Sequence, residues 1–224
     1  MSINLTVRAE VIDIRTDTPQ PTDILLVDTN VWLWQTYGLP PKPDPKQSSK
    51  KEQSQAQQAE QKLKVYTRYL NAALSRGIQL KYCGLILAEL AHVIERTEFE
   101  IFKRRNKLNS LSAKAYRHNY PIEHGKVASL ISSAWSQITM LASSADLMVD
   151  EGLADRATTH FYTVALDGYD LFLLEAIRQT GIKPVQILTD DMDYATVPNI
   201  QLFTSNGRVI QCAADQKQLI SRGQ

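Results

Sequence analysis

The feature that most constrains the fold is a short apolar run, Ile24-Leu25-Leu26-Val27, closed by Asp28. A strand that is apolar throughout has no face to give to water, so it must be covered on both sides, as central strands of parallel sheets are. Ile78 to Cys83 reads as a second parallel strand, Asp146 to Val149 as a short one, and Val185 to Thr189 and Ile200 to Thr204 as the last two. Helical spacing falls between them. Leu63, Tyr66, Leu70 and Leu74 share one face ended by Gly77, and longer helices are predicted over Leu85 to Arg105 and Glu123 to Leu141. Shorter helices are predicted from Val31, over Leu153 to Val164 and over Gly168 to Gly181. Ahead of all these, Ile3-Leu5-Val7-Ala9-Val11 alternates with polar residues and predicts a strand with one buried face. Strands alternating with helices define an α/β protein, a parallel sheet covered by helices on both faces.

The 224 residues suit a single domain, 1–224, and 43% hydrophobic against 22% charged residues excludes global disorder. No apolar run reaches the roughly 18 residues that span a bilayer, and the first residues lack a signal-peptide pattern, so a cytoplasmic protein without membrane contact is expected. Two cysteines, Cys83 and Cys212, make no disulfide scaffold. Residues 38–62 hold four of the nine prolines and six glutamines but no Val, Ile or Phe, which predicts a mobile insertion; residues 212–224 read as a polar tail.

The net charge of +1 hides an asymmetry. Arg96 to Lys126 carries eight Lys/Arg and three acids, whereas Ser144 to Pro198 carries ten acids and three Lys/Arg. Ligands of open α/β sheets bind at the carboxyl ends of the strands, and acids cluster at those ends. Asp28 closes one strand; Asp190, Asp191 and Asp193 follow another. Glu89 shares a helix face with Leu85, Ile86, Leu90 and Val93, where a carboxylate needs a partner. Asp170 heads the face of Leu173, Leu174 and Ile177, with Asp167 placed to cap that helix. Clustered carboxylates repel unless protonated or bridged by cations. Hard divalent ions take such oxygen shells and activate water against phosphodiesters. An acidic pocket beside a basic segment therefore points to metal-dependent chemistry on a polyanion. Lys103, Arg104, Arg105 and Arg117, interleaved with Tyr116 and Tyr120, are candidates to bind phosphates and stack bases. The four histidines show no metal-ligand spacing, and the scattered glycines make no phosphate loop.

Val27-Asp28-Thr29-Asn30, the acid of Leu87-Ala88-Glu89-Leu90, the stretch from Asp170 through Ala176 to Gly181, and Leu188-Thr189-Asp190-Asp191-Met192-Asp193-Tyr194 together resemble the PIN-domain nucleases. The resemblance implies a PIN-like fold, here with an extra N-terminal strand and inserted helices, and a Mg²⁺- or Mn²⁺-dependent endoribonuclease acting on RNA, commonly single-stranded. Asp28, Glu89, Asp170 and Asp191 match the catalytic metal-site acids, and Asp193 a further acidic position. Asn30 and Thr189 match polar residues that orient them. Members of this kind include toxins of toxin–antitoxin pairs, which implies an antitoxin partner and admits a homodimer. The N-terminal strand, the 38–62 insertion and the long middle depart from compact toxins. The alternative is a non-catalytic nucleic-acid- or protein-binding module on the same fold.

Overall fold

In the computed structural model, which describes residues 4–38, 49–148 and 150–222, the apolar run is a central strand of a six-stranded sheet. The elements run β1 (Glu10–Asp13), β2 (Ile24–Val27), α1 (Thr29–Thr36), α2 (Lys50–Ser75), β3 (Gln79–Tyr82), α3 (Ile86–Asn106), α4 (Ala113–Asn119) and α5 (Pro121–Leu141). There follow β4 (Ser143–Ser144), α6 (Glu151–Phe161), α7 (Gly168–Gln179), β5 (Val185–Leu188), a 3₁₀ turn at Asp193–Thr196, β6 (Ile200–Thr204) and α8 (Gly207–Asp215). Every strand pair is parallel and the order is β1-β6-β5-β2-β3-β4. From β2 the chain steps outward to β3 and β4, then crosses back to β5 and β6. The direction therefore reverses between β2 and β5, the switch point at which open α/β sheets form their ligand crevice. Val27 pairs with Leu188 and Leu188 with Phe203, so Asp28, Thr189 and Thr204 emerge side by side at that edge.

The helices pack as two groups, α1 to α5 and α6 with α7, which the right-handed crossover rule assigns to opposite faces of the sheet, since one group lies on the outward path and the other on the return. Trp32, Leu70, Leu90 and Ile138 are buried on the first side; Leu153, Leu171, Leu174 and Ile177 on the second. The α6–α7 pair is antiparallel: Met148 exchanges hydrogen bonds with the Gln179 side chain at one end, and the Phe161 ring lies over Gly168 at the other. Among the described residues no helix is long and apolar enough to cross a membrane.

Several expectations change. Residues 4–9 are not a strand, although Leu5, Val7 and Ala9 are buried in alternation as anticipated. Their backbone is taken up by the Gln216 side chain and the carbonyl of Ala195 instead of a ladder, and β1 begins only at Glu10. Residues 50–62 are helical. Ser49 caps Glu52 and Glu52 returns the bond, so α2 starts well before Leu63; residues 39–48 lie outside the described residues. The fourth strand is Ser143–Ser144 rather than Asp146 to Val149, of which Val149 is not described. The 212–224 tail is not a simple polar end. Leu219 bridges to Val11, and Arg222 pairs with Asp17 and Asp23, both buried carboxylates; residues 223 and 224 lie outside the described residues.

Candidate metal centre

Asp28 leaves β2 and caps α1, because its carboxylate accepts the Thr29 amide at 2.6 Å. Thr189, fully buried at the end of β5, donates its hydroxyl to the other Asp28 oxygen at 2.6 Å and accepts the Asp191 amide at 2.8 Å. One side chain thus ties two predicted acids to adjacent strands. Asn30 approaches Asp28 more loosely, at 3.4 Å. Glu89 sits in the first turn of α3, half-buried, and accepts the Thr29 hydroxyl at 2.5 Å. The partner that its place on an apolar face demanded is a hydroxyl, not a cation.

Asp170 stands in the first turn of α7, whose cap is Asp167. Its carboxylate accepts the hydroxyl of Tyr194, a wholly buried ring. Asp191 accepts the Asp193 amide at 2.8 Å, which turns the loop after β5 tightly at this point. Asp190 departs from the group: Lys62 of α2 pairs with it at 2.5 Å, and the Tyr66 hydroxyl lies 3.1 Å away.

The charge balance is one-sided. Burial pushes Asp28 up to about 7, with Glu89 and Asp191 raising it further against the hydrogen bonds from Thr189 and Thr29. Burial likewise pushes Asp170 up to about 8, helped by Asp28, Asp167 and Asp191. Asp193 is raised by burial and then by Asp191 and Asp167. The leading charges that shift these three are carboxylates. By contrast, buried Glu175 on α7 is met by Arg156 at 3.3 Å and Arg178 at 3.0 Å. His160 Nδ1 lies 3.2 Å from it, out of line for a hydrogen bond. Glu175 is an ion-pair centre, whereas Asp28 and Asp170 are like charges at close quarters.

Among the described residues no three His, Cys, Asp or Glu side chains are grouped so as to hold a metal ion unaided. Mg²⁺ does not require such a group, since it takes one or two carboxylates and fills its shell with waters and substrate oxygens. The donor set fits a hard divalent cation in chemistry and in charge, being all oxygen and, among the described residues, without a salt-bridge partner.

The basic candidates are elsewhere. Lys103, Arg104 and Arg105 lie in the last turn of α3, about 20 Å along the axis from Glu89 in its first turn. Lys103 pairs with Glu100 and lies over Phe99, while Arg117 pairs with Glu95. Tyr116 is buried and Tyr120 half-buried in a ring cluster with Phe99 and Phe102, so these two do not offer their faces to bases. Thr29 and Tyr194 were not singled out from sequence. Both lie inside quoted motifs, Thr29 in Asp28-Thr29-Asn30 and Tyr194 at the end of Leu188 to Tyr194, but their contacts with Glu89 and Asp170 arise only through the fold. Compared with family models, with curated proteins and with solved structures, the chain finds no match in any of the three.

Proposed function

We propose that the chain is a Mg²⁺- or Mn²⁺-dependent endoribonuclease of the PIN type, with Asp28, Glu89, Asp170 and Asp191 holding the ion and Asp193 beside them. The observation that carries this reading is the pairing of Asp28 and Asp170 at the sheet's switch point: each is pushed toward neutrality by burial and by further acids. A binding module gains nothing from such repulsion, whereas a cation site stores it until the ion arrives. When bound, the ion supplies Lewis acidity and a water made nucleophilic near neutral pH. Thr189 fixes the Asp28 carboxylate and the Asp191 amide in one arrangement, and Thr29 orients Glu89 toward the same edge. Tyr194 holds Asp170 by one carboxylate oxygen. RNA is the proposed substrate; the toxin of a toxin–antitoxin pair is one role within that reading, from whose compact members the N-terminal segment, the 38–62 insertion and the long middle depart.

The test is cleavage of labelled single-stranded RNA. Activity is expected in Mn²⁺ or Mg²⁺, with loss in EDTA and a loss of a hundredfold or more in Asp28→Asn and Asp170→Asn, on the order expected for groups that organise the reacting charge. Undiminished cutting by both variants would overturn the assignment.

A further inference from the structure

We propose that Phe161, Tyr162 and Tyr169 form a base-stacking platform for single-stranded nucleic acid at the rim of the acid crevice; the choice of ligand rests on the nuclease reading. The chain has 17 aromatic residues, three Trp, nine Tyr and five Phe. Fourteen are buried or half-buried. The three that stand out are Phe161, Tyr162 and Tyr169, at 54%, 88% and 53% exposure, and all three lie at the tip of the α6–α7 hairpin. Phe161 ends α6 with its ring 3.8 Å from the position a side chain would take at Gly168, Tyr162 follows it, and Tyr169 is the immediate neighbour of Asp170. Leaving three large rings in water is unfavourable, and their confinement to one spot beside the acids suggests an occupant.

The charges around the tip select that occupant. The crevice acids repel phosphate, so attraction at its rim has to come from uncharged surface, and every base offers a flat face to a ring. Further along the same hairpin Arg156 and Arg178 are both engaged with Glu175, and Asp150, Glu151, Asp155 and Asp167 on the same stretch leave it acidic, so no net positive charge there draws phosphates. A strand held at the tip by its bases, with its phosphates kept out in solvent, suits that charge distribution. Paired bases would hide their faces, which makes a single strand the ligand. The rings that the sequence assigns to stacking, Tyr116 and Tyr120, are buried and half-buried in a ring cluster; these three stand in water.

The experiment is fluorescence anisotropy with a short labelled single-stranded RNA and an abasic phosphodiester strand of equal length, in Ca²⁺ in place of Mg²⁺ so that binding is read apart from cutting. The parent should bind the base-bearing strand more tightly than the abasic one. Replacing the rings together (Phe161→Leu, Tyr162→Leu, Tyr169→Leu) should weaken binding of the former roughly tenfold or more and erase the preference. Tyr162→Phe with Tyr169→Phe should keep it, which separates stacking from lost hydroxyls and checks folding. A parent without preference for bases, or a triple-leucine protein that retains it, overturns the platform. The nuclease reading fails differently, by absence of cleavage in Mn²⁺, so a protein that binds with base preference yet does not cut would keep the platform and lose the enzyme.

Discussion

Burial raises the Asp28 carboxyl from an ordinary 3.8 to about 7, and Asp170 to about 8, and this sets how the metal-free protein answers to pH. In the folded chain both groups hold protons over a range where the unfolded chain has released them. The unfolded state then binds fewer protons, so stability falls as pH rises through that window. In EDTA, urea midpoints should therefore drop between about pH 5 and pH 8, and Asp28→Asn with Asp170→Asn should flatten the slope while raising stability at the upper end. A parent more stable at pH 8 than at pH 6 would contradict this. Cations compete with the same protons. Mn²⁺ should accordingly raise the melting temperature more at pH 8 than at pH 6, as a ligand bound only by the folded state does, and the double variant should show no such rise. At this scale the acids were legible because strand ends and helix faces mark them locally. Tyr194 was not, since only the β5–β6 connection brings its hydroxyl to Asp170.

Among the elements, α2 shows where sequence reading went astray. Residues 50–62 are poor in apolar side chains, and with no face to bury they read as loop. They are rich in Gln, Lys, Glu and Ala, which lose little entropy in a helix, and they extend a helix already nucleated by the packing of Tyr66, Tyr69, Leu70 and Ala73. The capping box at Ser49 and Glu52 was the overlooked signal. Ser49→Ala should cost about 1 kcal/mol of local helix stability, read as faster amide exchange over residues 50–58 with unchanged exchange in β2 and β5. Equal acceleration in the strands would show that the first turns of α2 are coupled to the core. In 4–9 the alternation forecast the burial of Leu5, Val7 and Ala9 correctly, yet a ladder needs a partner strand, which the sequence pattern does not reveal. The central strands were easier, because their continuous apolar runs permit one environment only.

Across the whole molecule, the C-terminal segment closes the sheet edge. Arg222 bonds Asp17 and Asp23 and lies over the Phe203 ring, while Tyr69 donates to Asp17 and Gln186 to Asp23. Arg222→Met would strand two buried carboxylates, a loss of roughly 3–5 kcal/mol, seen as a melting temperature lower by about 10 °C in a chain of this size. An unchanged melting temperature would mean that the tail is merely laid against the sheet. The central claim concerns the acids, and the ends of the RNA products test it most directly. Transfer to the 2′-hydroxyl leaves a cyclic phosphate and calls for a side-chain base and acid. Yet His160 stands at Glu175, and His92 lines a groove between α3 and α4. Hydrolysis by water leaves a 5′-phosphate and a 3′-hydroxyl, and proceeds past a 2′-O-methyl group. Mass spectrometry of the fragments should show 5′-phosphate and 3′-hydroxyl ends, formed in Mn²⁺ and absent in EDTA; a 2′,3′-cyclic phosphate formed in EDTA would contradict the four-acid site.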